Sequence, residues 1–242
     1  MYKISSLLEE IKHRHWELPG GKWQYYQEWN DALFLHFEVE LNFFKNLIPK
    51  KLNIDHFNGK YYVSLVAFKM QNIRPRNLPA VKFISDFYEI NVRTYIDNDN
   101  KKGVYFINIE AEKLLSTFIA KTLSGLPYGK SKIKRKQTGY SNYNAQKQLH
   151  LKADFEVLDQ VSEKTDFDKW ITERYCLYLD KSERILRYDI HHKEWDLKEI
   201  KLNSLELNYS FDQLILSNHN LKSHHYSPGV KVVSWDSTEV LL

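Results

Sequence analysis

The segment YEINVRTYI, residues 88–96, alternates in a way that fixes its own secondary structure. Mostly apolar side chains at every second position interleave with Glu89, Asn91 and Arg93. A period of two is typical of a β-strand, so the three polar side chains share one face and the apolar side chains share the other. The segment therefore predicts a strand that places a carboxylate, an amide and a guanidinium side by side.

Two environments fit that polar face. In a barrel, one face of each strand looks into the lumen, where Arg93 would hold the carboxylate of a small ligand through two parallel hydrogen bonds. In a half-solvated sheet, the same face would lie in water and would carry ordinary cross-strand ion pairs. The alternation by itself is compatible with both arrangements.

The rest of the chain is predicted to consist of further strands and a few helices. Residues 175–179 and 185–191 flank a polar turn and predict a hairpin. Other strands are predicted over residues 61–69, 149–157 and 230–235, and helices over 6–13, where Ser6 and Glu9 have capping-box spacing, 40–48, 110–123 and 166–174. Strands outnumber helices and lack regular βαβ spacing. The fold class is therefore mainly β (α+β), an antiparallel β-barrel or sandwich with a few peripheral helices.

The composition excludes several classes of protein. The net charge of +4 over 242 residues is too small an excess for a dedicated nucleic-acid binder. The single cysteine, Cys176, excludes a disulfide framework, and its apolar surroundings indicate an inert buried thiol. No apolar run approaches the roughly 20 residues that cross a bilayer, and no secretory signal is apparent. We expect a single cytoplasmic domain over residues 1–242, without membrane contact.

Few residues carry a recognisable chemical motif, and we predict neither a cofactor nor a metal. The adjacent pairs His191–His192 and His224–His225 point their members to opposite faces of a strand, so each pair offers at most one inward ligand. No HExxH motif or cysteine pair supports a metal site. Glu173 and Arg174 lie at the end of the last predicted helix, where they either reach the barrel mouth or form an ion pair at the helix end.

A basic stretch, GLPYGKSKIKRK at residues 125–136, carries four lysines and one arginine. The alternation around Ile133 favours a charged edge strand that resists pairing with other chains. The alternative is a surface that binds phosphates. Lys130 directly follows the turn and, unlike the alternating lysines, is a candidate for the ligand site.

Eight separated segments, in order along the chain, resemble the YqjF-like family of uncharacterised proteins. They are residues 13–39 (opening HRHWELPGGKW), 59–79 (GKYYVSLVAFKMQNIRPRNLP), 87–96 (FYEINVRTYI), 103–121 (GVYFINIEAEKLLSTFIAK), 125–134 (GLPYGKSKIK), 171–179 (ITERYCLYL), 190–197 (IHHKEWDL) and 224–235 (HHYSPGVKVVSW). This family, a domain of unknown function, is similar in turn to acetoacetate decarboxylase. The resemblance implies a large antiparallel barrel with a central cavity.

The resemblance to the decarboxylase also implies roles for single residues. Glu89 resembles a carboxylate of the decarboxylase cavity. The turn GLPYGK is similar to the decarboxylase turn that carries two consecutive lysines, of which the first forms the Schiff base and the second lowers its pKa. Tyr128 and Gly129 stand at those positions, and Lys130 falls one residue too late. A phenol cannot form an imine, so the resemblance implies the fold and the cavity without Schiff-base decarboxylation.

The sequence thus predicts a barrel that binds a small anionic, keto-acid-like molecule. Arg93 would anchor the carboxylate, and Glu89 and Tyr128 would carry protons in any acid–base chemistry on a carbonyl compound. The remaining candidate ligand-binding residues are Asn91, Lys130, Glu173 and Arg174. The alternative is a non-catalytic interaction module whose basic Lys130–Lys136 strand binds nucleic acid or an acidic partner, with affinity that falls steeply with salt.

Overall fold

The computed structural model describes residues 4–113, 126–181 and 184–240, most of which lie in strands. The strands are β1 (Tyr25–Val39), β2 (Tyr61–Pro75), β3 (Phe87–Asn98), β4 (Lys101–Ala111), β5 (Tyr128–Lys130), β6 (Lys132–Lys136), β7 (Gly139–Asn144), β8 (Leu149–Gln160), β9 (Cys176–Lys181), β10 (Arg184–His191), β11 (Lys198–Phe211), β12 (Leu214–Leu216) and β13 (Leu221–Val240). The helical segments are α1 (Ile4–Glu9), a 3-10 turn (Leu41–Phe44), α2 (Lys82–Ser85) and α3 (Asp166–Thr172). The predicted mainly β class is confirmed.

Within these described ranges, seven strands close into a barrel, because β1 pairs with β2 along one edge and with β13 along the other. The order around the barrel is β1, β2, β3, β4, β9, β10 and β13. Neighbouring strands are antiparallel except β4 and β9, which run parallel where Val104 lies opposite Leu177. The chain leaves the barrel after β4 and re-enters it at β9, so a long crossover replaces a hairpin at this point. The predicted barrel is confirmed, with one parallel pair in its wall.

A second sheet covers the outer face of β1, β2 and β3. It continues from β13 through β11, β8 and β7 to β6, and its apolar side chains share one core with the barrel wall. Ile90 and Val92 of β3 point into this layer together with Leu151 and Phe155. The other face of β3 looks into the lumen, so both faces of the strand are buried. The half-solvated arrangement is therefore wrong for this strand.

The helices depart from the sequence predictions most clearly. Helix α1 begins at Ile4, so Ser6 lies inside the helix and does not cap it. The predicted helix over residues 40–48 is a single 3-10 turn, in which Leu41 is 49% exposed and only Phe44 is buried. Of the predicted helix over residues 110–123, Glu110 and Ala111 end strand β4 and residues 114–123 lie outside the described part of the chain.

Helix α3 is close to its prediction and begins with a complete capping box. The Thr165 side chain accepts a hydrogen bond from the backbone N–H of Asp168, whose carboxylate accepts one from the backbone N–H of Thr165. The helix ends at Thr172, two residues before the predicted end. None of the helices in the described ranges has the length and apolar character needed to cross a membrane.

Candidate functional site

The lumen of the barrel contains a cavity with two adjoining compartments, and side chains from all seven barrel strands line it. The large compartment has a volume of about 200 Å³ and is lined by residues that include Ile73, Phe87, Arg174, Ile190 and His192. The small compartment has a volume of about 80 Å³ and is lined by residues that include Val66, Met70, Glu89 and Asn91. Both compartments share a wall that includes Trp29, Arg93, Phe106, Tyr128 and Trp195.

The polar face of β3 lines this cavity. Glu89, Asn91 and Arg93 are each no more than 7% exposed, and all three border the small compartment. Their inward position follows from the register of the barrel, since Ser64 of β2 lies opposite Arg93 and Val66 lies opposite Asn91. The arrangement therefore brings the predicted carboxylate, amide and guanidinium to one enclosed surface.

Glu89 is held by two neutral donors. Its Oε1 accepts a hydrogen bond from Asn91 Nδ2 at 3.3 Å, and its Oε2 accepts one from Tyr128 Oη at 3.0 Å. Burial raises the pKa of Glu89 to about 7, although both hydrogen bonds act in the opposite direction. Burial and the neighbouring Glu89 raise the pKa of Tyr128 well above its usual value. Near neutral pH, Glu89 thus exchanges a proton readily while Tyr128 stays a hydrogen-bond donor.

Arg93 differs from Glu89 because its charge is not compensated. No carboxylate among the described residues forms an ion pair with it, and its Nε atom is buried without a hydrogen-bond partner there. Burial lowers the pKa of the guanidinium, yet an arginine starts so high that it keeps its charge at neutral pH. A buried charge is costly unless it is paired, and the guanidinium of Arg93 borders both compartments.

A buried chain of hydroxyl and imidazole groups lies behind Arg93. The Tyr95 hydroxyl interacts with the guanidinium and lies 2.5 Å from Ser64 Oγ, which in turn lies 2.6 Å from His36 Nδ1. Burial holds the pKa of His36 well below its usual value. The imidazole is therefore neutral, and the chain orients Arg93 without neutralising it.

Arg174 also lines the large compartment, but it already has partners. Its Nη1 lies 2.6 Å from Asp55 Oδ2, and its Nε donates to the Trp170 carbonyl at 2.7 Å. The guanidinium also stacks over the rings of Tyr95 and Trp170, 4.8 Å and 4.5 Å from their centroids. Arg174 therefore contributes shape and a compensated charge to the cavity wall.

Glu173 does not point into the cavity. Its carboxylate accepts hydrogen bonds from Lys164 Nζ at 3.2 Å, from the Trp195 backbone N–H at 3.0 Å and from Tyr175 Oη at 2.7 Å. These donors engage both carboxylate oxygens, so Glu173 anchors the loop that carries Trp195. Both residues at this helix end form ion pairs, Glu173 with Lys164 and Arg174 with Asp55.

Several cavity residues were not among the predicted site residues. His192 lines the large compartment, whereas its neighbour His191 points away and lies 2.8 Å from the Leu7 carbonyl oxygen. Burial lowers the pKa of His192 to about 4, so this ring is neutral at physiological pH. Trp29 and Trp195 stack with their ring centroids 6.1 Å apart. The adjacent histidines signalled one inward ring, but nothing in the local sequence distinguishes the lumen tryptophans from ordinary core residues.

Comparison with known proteins assigns the family. The family model described as an uncharacterized conserved protein, DUF2071, matches residues 26–231. An uncharacterized protein of Bacillus subtilis, YqjF, is 31% identical over 210 residues, which covers 82% of this chain and 87% of the Bacillus protein. The chain belongs to the DUF2071 family. The predicted resemblance to YqjF-like proteins is confirmed.

Solved structures place this DUF2071 chain in the acetoacetate decarboxylase-like fold. The enduracididine biosynthesis enzyme MppR with HEPES bound has a TM-score of 0.63 at 8% identity, covering 92% of this chain and 89% of MppR. The MppR complex with pyruvate has a TM-score of 0.59 at 8% identity and covers 93% of each chain. The acetoacetate decarboxylase of Legionella pneumophila has a TM-score of 0.57 at 12% identity, covering 97% of this chain and 96% of the decarboxylase. At such low identities, the likeness concerns the fold alone.

The DUF2071 chain departs from the predicted site at Lys130. Tyr128, at the start of the short strand β5, reaches the cavity, whereas Lys130 is exposed and does not line it. β5 pairs with β4 over these three residues, Tyr128 to Lys130. Lys130 is therefore removed from the candidate ligand-binding residues. The cavity lining contributed by residues 4–113, 126–181 and 184–240 contains no lysine.

Residues 132–136 of the basic stretch form strand β6, the outer edge of the second sheet. Lys132, Lys134 and Lys136 of β6 are exposed, while Ile133 is buried and Arg135 turns inward, where its Nε lies 2.8 Å from Asp31 Oδ2. β6 is the last strand of this sheet, as expected for a charged edge strand. The described residues also contain no cluster of His, Cys, Asp and Glu side chains that could hold a metal ion.

Proposed function

We propose that the protein binds a small organic carboxylate in the barrel lumen, with Arg93 as the anchor. The observation that carries this proposal is the uncompensated guanidinium, 7% exposed, at the junction of the two compartments. An anion that fills this position supplies the pairing that the described residues do not. A carboxylate fits because its two oxygens match the parallel N–H groups of arginine.

Glu89 and Tyr128 would recognise the other functional group of the ligand. A ligand bound at Arg93 and extending into the small compartment comes next to the Glu89–Tyr128 pair. Protonated Glu89 or the Tyr128 hydroxyl can donate to a carbonyl oxygen, and ionised Glu89 can accept a proton from the adjacent carbon. A general acid–base group works best with a pKa near the ambient pH, and the pKa of Glu89 is about 7. A keto acid combines the carboxylate and the carbonyl that this geometry favours.

The proposal is tested by calorimetric titration of the wild type and the Arg93→Gln variant with pyruvate and acetoacetate at pH 6.5. We expect binding to the wild type and a loss of at least about 30-fold in affinity in Arg93→Gln, the scale for removing one partner of a desolvated charge pair. Arg135→Gln is the matched control, because it removes another inward-facing arginine, one that pairs with Asp31 away from the lumen. Equal affinity in Arg93→Gln and wild type would refute the anchor.

A further inference from the structure

We propose that the natural ligand is a monocarboxylate with a large apolar body of about the size of an aromatic ring, which occupies the large compartment while its carboxylate pairs with Arg93. This inference rests on the function proposed above and names the ligand class of the same site. Three independent features of the cavity carry it: its charge, its volume and the chemistry of its wall.

The charges that the described residues place around the cavity match one negative charge on the ligand. Among these residues Arg93 has no ion-pair partner, whereas Arg174 is already paired with Asp55. The other acidic lining residues, buried Glu89 and exposed Asp236, would repel a second negative charge. His192 is buried with its Nδ1 atom 2.6 Å from the Lys193 carbonyl oxygen, and its low pKa keeps it neutral. A second carboxylate on the ligand would therefore lie in the apolar lumen without a counter-charge, at a high desolvation cost. The charge balance favours a monoanion over a dicarboxylate.

The volumes of the two compartments indicate which end of the ligand each one holds. The small compartment, about 80 Å³, accommodates only a few atoms beside Glu89 and Asn91. The large compartment, about 200 Å³, exceeds the 150 Å³ of an apolar cavity known to bind benzene in another protein. A three- or four-carbon keto acid would leave most of this space unfilled. The ligand that fits therefore extends from Arg93 into the large compartment.

The wall of the large compartment is apolar and aromatic where the ligand body would lie. Trp29, Phe87, Phe106 and Trp195 line it, together with branched aliphatic side chains such as Ile73. Phe34 packs edge-on against Trp195, with ring centroids 5.0 Å apart, and fixes one side of the wall. Flat rigid rings favour a flat or apolar partner, because offset and edge-to-face contacts add to the area buried.

The test compares keto acids that differ only in the apolar body. Pyruvate, 2-oxohexanoate and phenylpyruvate are titrated into the wild type by calorimetry, with 2-oxoglutarate as the dianionic counterpart. We expect affinity to increase about fourfold for each buried methylene and at least about 50-fold from pyruvate to phenylpyruvate. 2-Oxoglutarate should bind at least tenfold more weakly than 2-oxohexanoate.

A variant whose new side chain fills the large compartment tests whether the ligand body lies there. Ile73 lines only the large compartment, so Ile73→Trp should weaken phenylpyruvate at least about tenfold and leave pyruvate within about twofold. Ile215→Trp adds the same side chain at a position that is 60% exposed and should change neither affinity. If Ile73→Trp does not fold, Ile190→Phe fills the same compartment from β10.

The outcomes separate the two proposals. Affinities that are independent of the apolar body, or a dianion that binds as tightly as its monoanionic counterpart, would overturn this inference and leave the carboxylate anchor standing. Failure of every keto acid to bind the wild type, or binding that survives Arg93→Gln, would overturn the proposed function and this inference with it.

Discussion

Two buried charges in this molecule lie in opposite surroundings. Glu110, completely buried between the barrel and the second sheet, accepts hydrogen bonds from Asn144 Nδ2 at 2.6 Å, Tyr209 Oη at 2.7 Å and Asn142 Nδ2 at 3.0 Å. Arg93, in the lumen, has an unpartnered Nε and no ion pair among the described residues. The fold satisfies the hydrogen bonds of Glu110, whereas Arg93 has no ion-pair partner among the described residues.

The difference lies in whether the fold completes the hydrogen bonds of a buried polar group. Glu110 ties strand β4 to β7 and β11, and its donors enclose it so that it lines neither compartment. Arg93 lies on the opposite side of the barrel wall, where it costs stability unless an anion is bound. A buried polar group whose hydrogen bonds are complete specifies the fold, whereas an incomplete one beside a cavity indicates a ligand site.

The largest loss of stability is expected when the hydrogen bonds of Glu110 are removed. Glu110→Ala leaves two amides and a phenol facing an empty space, and we expect a loss of about 3–5 kcal/mol in the free energy of unfolding. Urea denaturation followed by tryptophan fluorescence measures it. Glu206→Ala removes an exposed carboxylate that pairs with Lys152 and should have little effect. If Glu110→Ala is as stable as Glu206→Ala, Glu110 does not have the structural role assigned to it.

The next largest effect is a dependence of folding stability on pH, caused by Glu89 in the lumen. The folded-state pKa of Glu89, about 7, lies above the ordinary glutamate value of 4.5, so between these values the folded state holds a proton that the unfolded state has lost. Stability from this group is therefore complete below about pH 4.5 and declines as pH rises to about 7, by roughly 3 kcal/mol. Glu89→Gln removes this contribution.

The measurement compares unfolding free energies of wild type and Glu89→Gln between pH 5 and pH 8. The difference between the two proteins isolates Glu89, because the buried His191 and His192, with pKa values of about 4, contribute an opposite slope to both. Their stabilisation is lost as pH falls, since the unfolded state gains protons first. A stability difference that does not change with pH would contradict the raised pKa of Glu89.

The two-residue alternation of β3 could be predicted from the sequence, but other strands of the barrel could not. Alternation predicted that Glu89, Asn91 and Arg93 share a face, because that depends only on the geometry of one strand. Strand β1 was missed, since Asp31 adopts a positive φ of 56° beside a shift in register and the run from Ala32 to Phe37 is buried on both faces. Such a strand shows no alternation from which it could be recognised.

The residues of the candidate site could also be predicted only in part from the sequence. Tyr128 was placed at the cavity through the resemblance of its turn, but Lys130 was not separated from it, because the length of β5 depends on pairing with β4. Glu173 and Arg174 are neighbours in sequence whose partners, Lys164 and Asp55, come from different parts of the chain. Tertiary partners of this kind are not encoded in local spacing, so which charges remain unpaired could be found only in the structure.

A smaller effect, with the opposite sign to the loss at Glu110, is expected from Arg93. Arg93→Met replaces the uncompensated guanidinium with an apolar side chain of similar length, and we expect the unliganded protein to gain about 1–2 kcal/mol in stability while losing carboxylate binding. The same urea titration measures it. A loss of several kcal/mol would show that the fold itself pairs Arg93, and the contrast with Glu110 would disappear.

The last prediction is that a covalent step at this site is absent. A Schiff base requires a lysine amine beside the bound carbonyl, and the described lining of the cavity offers the Tyr128 hydroxyl and the Glu89 carboxylate there instead. Lys130 is exposed, outside the lumen. Borohydride added to the protein with pyruvate should therefore give no reduced adduct on a cavity lysine in peptide mass mapping.

Tyr128→Lys supplies the matched comparison, because it places an amine in a buried site where desolvation favours the neutral nucleophile. An adduct at position 128 of that variant, with none in the wild type, would show that the barrel still presents a carbonyl to this position and that only the nucleophile is missing. An adduct on Lys130 of the wild type would instead show that β5 can shift its register and bring this lysine into the lumen.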